Sequence, residues 1–429
     1  MAWLSPHAVR VWPGVREPGQ YAAPVNDHYY GAAINRQTVV QMRKGAIYRV
    51  FHYYYGKNGI TMHSGRHVTV ENMKVLGCFG MPIVVDGAQE YGEFRKVVVE
   101  PVPGRPCTGT SDGCHVARSK GHIKFIDCVI SFQNDDGLNI HDCFTLGVPA
   151  GPRRIRVTNV RGPEYLGAQP GNELELLAPN FQPLGWKGRL LATEGDCLVV
   201  DRDLPPLAGE HFLVFDSTFQ SDHIVMRGCT FHDTHFREIV QPKHVTVEDC
   251  RFIRTGSGFK MGSAHSREFW CEGRGSRDVV IRRCTFEHDC TLADWSRGVQ
   301  PVFETYVKFP RPKPYPPGNN VFTREPPAGF DIAFHGDILV EKCRITDPSG
   351  PLFVGDPVSN LIFRDNEIVL TGKRRVAKTT GAFVFGAARD VFITGNRYVV
   401  APALGAFEPF VKGNVPGLTV EGNVINTQN

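Results

Sequence analysis

The stretches IKFIDC (123–128), IVMRGC (224–229), VTVEDC (245–250), VVIRRC (279–284) and ILVEKC (338–343) are one phrase written five times. Apolar residues alternate along it and a cysteine closes it. The closing slot holds Asn instead in VTVEN (68–72), LIFRDN (361–366), VFITGN (391–396) and LTVEGN (418–423). Alternation over a short β-branched run is the pattern of a strand with one buried face that ends in a turn. Four of the gaps between neighbouring slots are 21, 23, 27 and 30 residues. The 56 residues from Asn72 to Cys128 leave room for two coils, with KVVVEPV (96–102) as the strand between them. One strand phrase per roughly 20–30 residues is the period of a solenoid. Helical repeats are excluded because the phrase alternates with period 2. Leucine-rich repeats are excluded because their Leu and Asn pattern is missing. The sequence therefore predicts an all-β chain, a right-handed parallel β-helix. Its coils stack at about 4.8 Å and align like residues in ladders.

A slot shared by Cys and Asn is a turn or inner-stack position, so the 12 cysteines are expected to be reduced and structural. Cys271, Cys284, His288 and Cys290 fit no standard zinc spacing, and Cys284 already belongs to the repeat. No metal is expected. The rest of the composition agrees with many short strands. Gly and Pro number 45 and 31 in 429 residues, and apolar residues make up 41%. The net charge of +4 rules out a strongly basic nucleic-acid coat, so no nucleic-acid partner is expected. No apolar run approaches the roughly 20 residues of a membrane helix, so no membrane partner is expected. The N-terminus, MAWLSPHAVRVWPG, lacks a basic region followed by an apolar one. The protein is then cytoplasmic, or it is periplasmic or extracellular with its leader removed.

Two stretches interrupt the stack. Between Cys128 and Cys229, the run GNELELLAPNFQPLGWKGRLLATEGDCLVVDRDLP reads as short antiparallel strands with tight turns. It predicts a small β-barrel inserted at 147–216. Residues 1–146 and 217–429 then form the two parts of the β-helix. The segment 308–330 holds seven prolines, so it is neither helix nor central strand. A structured loop packed over the solenoid is expected there.

The chemistry concentrates in SFQNDDGLNIHDC (131–143). Adjacent carboxylates repel, and burying them is costly unless they act or bind a cation. Asp112, in GTSDGCH, precedes Asp135 by 23 residues, one coil. Asp112, Asp135 and Asp136 are therefore expected on one wall, with His115 and His141 near them. Asp136 follows Cys128 by 8 residues, and Arg237 follows Cys229 by 8. If the insert leaves the stack in phase, Arg237 and Glu238 border the carboxylates. A cation there keeps one carboxylate ionised while its neighbour's pKa rises, the asymmetry that acid/base glycoside hydrolysis needs. GTSDG (109–113) also matches a nucleophile elbow, but that motif requires a following helix, and here a strand phrase follows.

The run PGRPCTGTSDGCHVARSKGHIKFIDCVISFQNDDGLNIHDCF resembles the core signature of glycoside hydrolase family 110. The positions that carry the resemblance are Asp112, His115, Lys120, Gly121, Ile123, Asp135, Asp136, Asn139 and His141. Trp270, Glu272 and Gly273 match a later Trp-x-Glu-Gly stretch. The resemblance implies an inverting exo-α-1,3-galactosidase on a parallel β-helix, working without metal or organic cofactor. It implies Asp135 as general acid, with Asp112 and Asp136 holding and activating water. It also implies that His115, Asn139, His141, Trp270 and Glu272 bind the sugar, and that the partner is a carbohydrate ending in an α-galactoside; Arg237 and Glu238 are expected to bind it from their place beside the carboxylates. The chain departs from the pattern at Arg237-Glu238-Ile239-Val240, where the family often reads Arg-Gly-Ile-Leu. Members usually carry more sequence before the first Asp, so this chain is expected either to lack N-terminal coils or to be a compact or divergent member. Polygalacturonase-like β-helices use a similar three-Asp plan and remain an alternative, as does a non-catalytic glycan-binding β-helix. The latter would show exposed aromatic rows, for which HYYYG (52–56) is the candidate. Oligomeric state is open in the sequence, and a homodimer is compatible with it.

Overall fold

The structure, a computed structural model, describes residues 56–105, 107–206, 211–234, 238–268, 270–287, 300–311, 321–372, 380–404, 409 and 411–427. It also describes the strands Ala2–Ser5 and Ala8–Arg10, which pair antiparallel. The chain divides into two compact units, residues 1–54 and 55–429. The aromatic run at 52–55, Arg237, His288, Cys290 and the proline-rich 312–320 lie outside the described residues.

The second unit is a parallel β-helix of three sheets, each with a path of ten parallel strands. Each coil places one strand in each sheet. The coil through the repeat phrase runs Ser119–Ile126, Val129–Ser131 and Leu138–Ile140. The phrase itself forms the first sheet. The third sheet, which carries Cys114–Val116, Leu138–Ile140, Phe259–Ala264 and Phe303–Pro310, is called the groove sheet below. The right-handed path is the hand expected of crossovers between parallel strands.

Alternation turns every second side chain inward, and register stacks like on like. Phe94 and Phe125 stack at 5.2 Å, Phe231 and Phe252 at 5.2 Å, and Phe252 and Phe286 at 4.9 Å, all nearly coplanar. The closing slot is an inner ladder, as its residue types imply. Cys128, Cys229, Cys250, Cys284 and Cys343 are buried there and free. Their thiols donate to backbone carbonyls, as Cys229 does to Phe125 at 3.3 Å. Asn366, Asn396 and Asn423 continue the ladder, each amide donating to a carbonyl of the preceding coil at 2.8–3.1 Å. Cysteine and asparagine are interchangeable here because each supplies a small donor aimed along the stack. Asn72 is the exception. It stands one residue earlier, with φ 54°, on the corner ladder of Lys96, Asp127 and Asp249. Asparagine tolerates that left-handed conformation, which is why it mimics the slot in sequence.

The insertion is a closed antiparallel barrel. Its strands are Phe144–Gly151, Arg154–Val157, Glu173–Leu177, Pro183–Glu194, Cys197–Val200 and Phe212–Asp216. The first strand starts at Phe144, ahead of the expected 147, because Phe144 already pairs with Phe215. Ile155, Leu174, Leu176, Trp186, Leu190 and Leu198 fill the barrel. The described flanks of the proline-rich segment pack as a cover. Phe322–Thr323 pairs with the end of Phe303–Pro310, and Asn180 of the barrel donates to the carbonyl of Ala328 at 3.1 Å. Among the described residues no helix is long and apolar enough to cross a membrane.

Candidate active site

The carboxylates come from the turns that lead into two neighbouring strands of the groove sheet. Cys114 pairs with Leu138, and the amide of Gly113 donates to the carbonyl of Asp136 at 2.8 Å. The register therefore sets Asp112 level with Asp136, one residue beyond the sequence expectation, and Asp135 stands just ahead of that pair. Gly113 permits the close approach, since a Cβ there would meet the carbonyl oxygen of Gly137 at 2.6 Å. Asp112, Asp135 and Asp136 are 2%, 5% and 4% exposed, and one oxygen from each lies within 4.8 Å of the other two. Such a group can share protons or hold a cation.

Two side chains of the groove-sheet ladder hold Asp112. His115 Nδ1 lies 3.0 Å from Asp112 Oδ2, and Asn139 Nδ2 donates to the same oxygen at 3.3 Å. His115 and Asn139 are register partners, so both side chains emerge on the groove face. Burial opposes charge on His115, but the hydrogen bond and charge of Asp112, with Asp86 and Glu272, outweigh it and raise its pKa. His141 meets the His115 ring edge-on at 4.9 Å. Burial lowers the pKa of His141, against the pull of Glu272, and His115 adds to the lowering. The two imidazoles are thus biased apart, His115 toward the charged form and His141 toward the neutral one.

Glu272 closes the arrangement. Its backbone bridges to both Cys143 and Ala264, and its Oε1 lies 4.0 Å from His141 Nε2. Trp270 is half-buried and stacks nearly parallel with Phe322 at 6.5 Å, two residues from Glu272. Glu238 lies in the strand Glu238–Val240, level with Leu138. The equal-offset reasoning for Arg237 does not carry over to this sheet. Val129 pairs with Thr230 but Leu138 pairs with Glu238, so one residue fewer separates the paired strands after the insert. Ser111 is fully buried and leads into the strand Cys114–Val116, which removes the nucleophile-elbow reading.

Sequence reasoning missed three residues beside this strip. Asp86 and Arg118 form an ion pair with contacts of 2.6 and 2.5 Å, which holds the Asp86 pKa low against its burial. Tyr165, from the short turn Pro163–Tyr165 within the insertion, donates to Glu272 at 2.9 Å. Asp86 ends IVVD on the preceding coil, where Val85 pairs with Val116, so the register sets it past that strand rather than level with Asp112, and ladder arithmetic does not reach it. No sequence signal ties Tyr165 to Glu272, which lies 107 residues later.

No family model matches the chain. Curated relatives include α-1,3-galactosidase A of Peterkaempfera griseoplana, 22% identical, covering 83% of this chain and 52% of that protein. α-1,3-Galactosidase B of Bacteroides thetaiotaomicron is 23% identical, covering 54% and 39%. α-1,3-Galactosidase A of Shewanella woodyi is 22% identical, covering 55% and 40%. The chain spans about half the length of the first of these relatives and less of the other two. Among solved structures, the tailspike protein gp49 from Pseudomonas phage LKA1 covers 87% of this chain and 67% of its own, with 13% identity and a TM-score of 0.21. At that score the likeness decides nothing about the site.

Proposed function

We propose that the protein is a glycoside hydrolase of the family 110 type that removes terminal α-1,3-linked galactose from a glycan. The observation that carries the reading is the buried group of Asp112, Asp135 and Asp136, braced by His115 and Asn139 on the groove face. The names of the similar proteins support the choice of sugar and linkage. In this scheme Asp135 protonates the leaving oxygen. Asp112 and Asp136, level on neighbouring coils, share the attacking water. His115 and Asn139 keep Asp112 turned toward the group. Closely packed carboxylates are an arrangement in which one can keep the proton that acid catalysis needs.

Family resemblance supports inversion, whereas the spacing favours a second reading. Inverting carboxyl groups ordinarily stand about 6.5–9.5 Å apart and retaining ones about 5–5.5 Å. The oxygens here lie within 4.8 Å of one another, nearer the retaining spacing. Proton NMR of the first-formed sugar from an α-1,3-galactosyl oligosaccharide separates the readings. β-Galactose first supports inversion by shared water, and α-galactose first supports retention through a glycosyl-enzyme. No galactose from linear or fucose-branched substrates overturns the proposed activity. Turnover lost in chelator and restored by a divalent cation overturns the metal-free scheme.

A further inference from the structure

The inserted barrel meets the β-helix at several places, and one of them is a loop beside Glu272. After the strand Arg154–Val157, Asn159 Nδ2 donates to the carbonyl of Ser266 at 2.7 Å, and the amide of Val160 donates to Arg267 at 2.9 Å. From the other side Arg118, already paired with Asp86, donates to the carbonyls of Glu164 and Tyr165 at 3.3 and 3.5 Å. Gly167, at φ +69°, packs directly on Arg118, where a Cβ would collide with the guanidinium. These contacts fix Tyr165 with its hydroxyl donating to Glu272 Oε1 at 2.9 Å. Burial and the charge of Glu272 both raise the Tyr165 pKa, so the hydroxyl keeps its proton and acts as a donor. Glu272 remains 19% exposed, and its second oxygen takes no hydrogen bond from the described residues. A carboxylate with one oxygen tied and one open is suited to accept a sugar hydroxyl.

We propose that Tyr165, carried by the inserted barrel, is a positioning residue that orients Glu272 to accept a hydroxyl of the bound galactosyl unit, which makes the barrel one wall of the sugar site. This rests on the α-galactosidase reading above. It assigns to the insertion a part in substrate recognition rather than in chemistry, since Tyr165 reaches the carboxylates only through Glu272, His141 and His115.

The test compares wild type and Tyr165→Phe on α-1,3-galactosides and on their monodeoxy-galactosyl analogues. The expected result is a roughly tenfold loss in kcat/KM, mostly in KM, that disappears for the one analogue lacking the accepted hydroxyl. Equal kinetics for both proteins on every sugar, or the same loss on every sugar, overturns the proposal. A second readout needs no substrate. His141 faces Glu272, His115 and Asp112, with Cys143 and Asp142 beside it in the chain. Removing the tyrosine donor leaves the Glu272 charge less dispersed, so the NMR titration of His141, assigned with His141→Gln, moves to higher pH. An unmoved curve overturns the positioning role even if wild type cleaves galactosides. A moved curve in a protein that cleaves none keeps the contact and removes the galactosidase reading instead.

Discussion

Replacing Glu304 with Gln tests whether the groove sheet is held by a buried charge network beyond the three aspartates. Lys260 and Glu304 continue the outward ladder of His115 and Asn139. Lys260 Nζ meets Glu304 Oε2 at 2.5 Å and Gln300 Oε1 at 2.8 Å, while Arg324 reaches Glu304 Oε1 at 2.7 Å. Burial alone would raise the Glu304 pKa, but the charges of Lys260 and Arg324 and their hydrogen bonds hold it at about 2, against an ordinary 4.5. At about 1.36 kcal/mol per pH unit, that difference contributes about 3 kcal/mol at neutral pH. Because the folded pKa is depressed, the contribution is complete above pH 4.5 and fades as pH falls toward 2. Glu304→Gln also leaves Lys260 buried without its anion, a change of the kind that costs about 3–5 kcal/mol. Urea unfolding followed by circular dichroism at neutral pH is expected to place the variant about 3 kcal/mol below wild type. The gap narrows as the buffer is taken from pH 4.5 toward 2. A variant as stable as wild type at neutral pH, or a gap that does not shrink in acid, refutes the reasoning.

Asp142 has the opposite sign. Burial pushes its pKa up to about 7, although the Ser221 amide donates to it. Folded Asp142 therefore binds a proton that the unfolded chain has released, and stability falls as pH rises from 3.8 to about 7. Asp142→Asn is expected to flatten that fall, worth up to about 4 kcal/mol, and parallel stability–pH curves for the two proteins count against it. Asp135→Asn is expected to lose at least about a hundredfold in turnover with little change in melting temperature. A fully active variant means the acid is wrongly assigned. Phe252, fully buried between Phe231 and Phe286, is expected to cost about 3–5 kcal/mol on truncation to Ala. Chemical denaturation showing a loss below about 1 kcal/mol would mean the ladder repacks around the gap.

The solenoid was legible because its physics repeats. Each coil meets the same neighbours above and below, so the same residue types recur at the same step, and the Cys/Asn slot displays that step directly. Asn72 shows the limit of such reading, since asparagine satisfies both the inner slot and the left-handed corner. The cluster of carboxylates was legible for the same reason. Its three aspartates lie on adjacent coils, so one period of sequence spans them. The one-residue slip that sets Asp112 level with Asp136 depended on backbone pairing through Gly113.

By itself the sequence determined the all-β coil, the reduced cysteine ladder, the place of the inserted barrel and the carboxylates that converge. These follow from short-range alternation and a constant period, which any stretch of the chain carries within itself. Only the tertiary structure decided that Tyr165 meets Glu272, that Arg118 clamps the barrel loop beside Asp86, and that the pKa values of His115 and His141 are pushed in opposite directions. It also decided that Glu304 lies buried between two cations. Those contacts join segments that lie outside one another's repeat. The barrel breaks the period, and Trp270, Glu272, Phe322 and Arg324 make their contacts at positions that no ladder arithmetic reaches. Burial and neighbouring charge act through space, so they are set only when the insertion and the coil have been brought together.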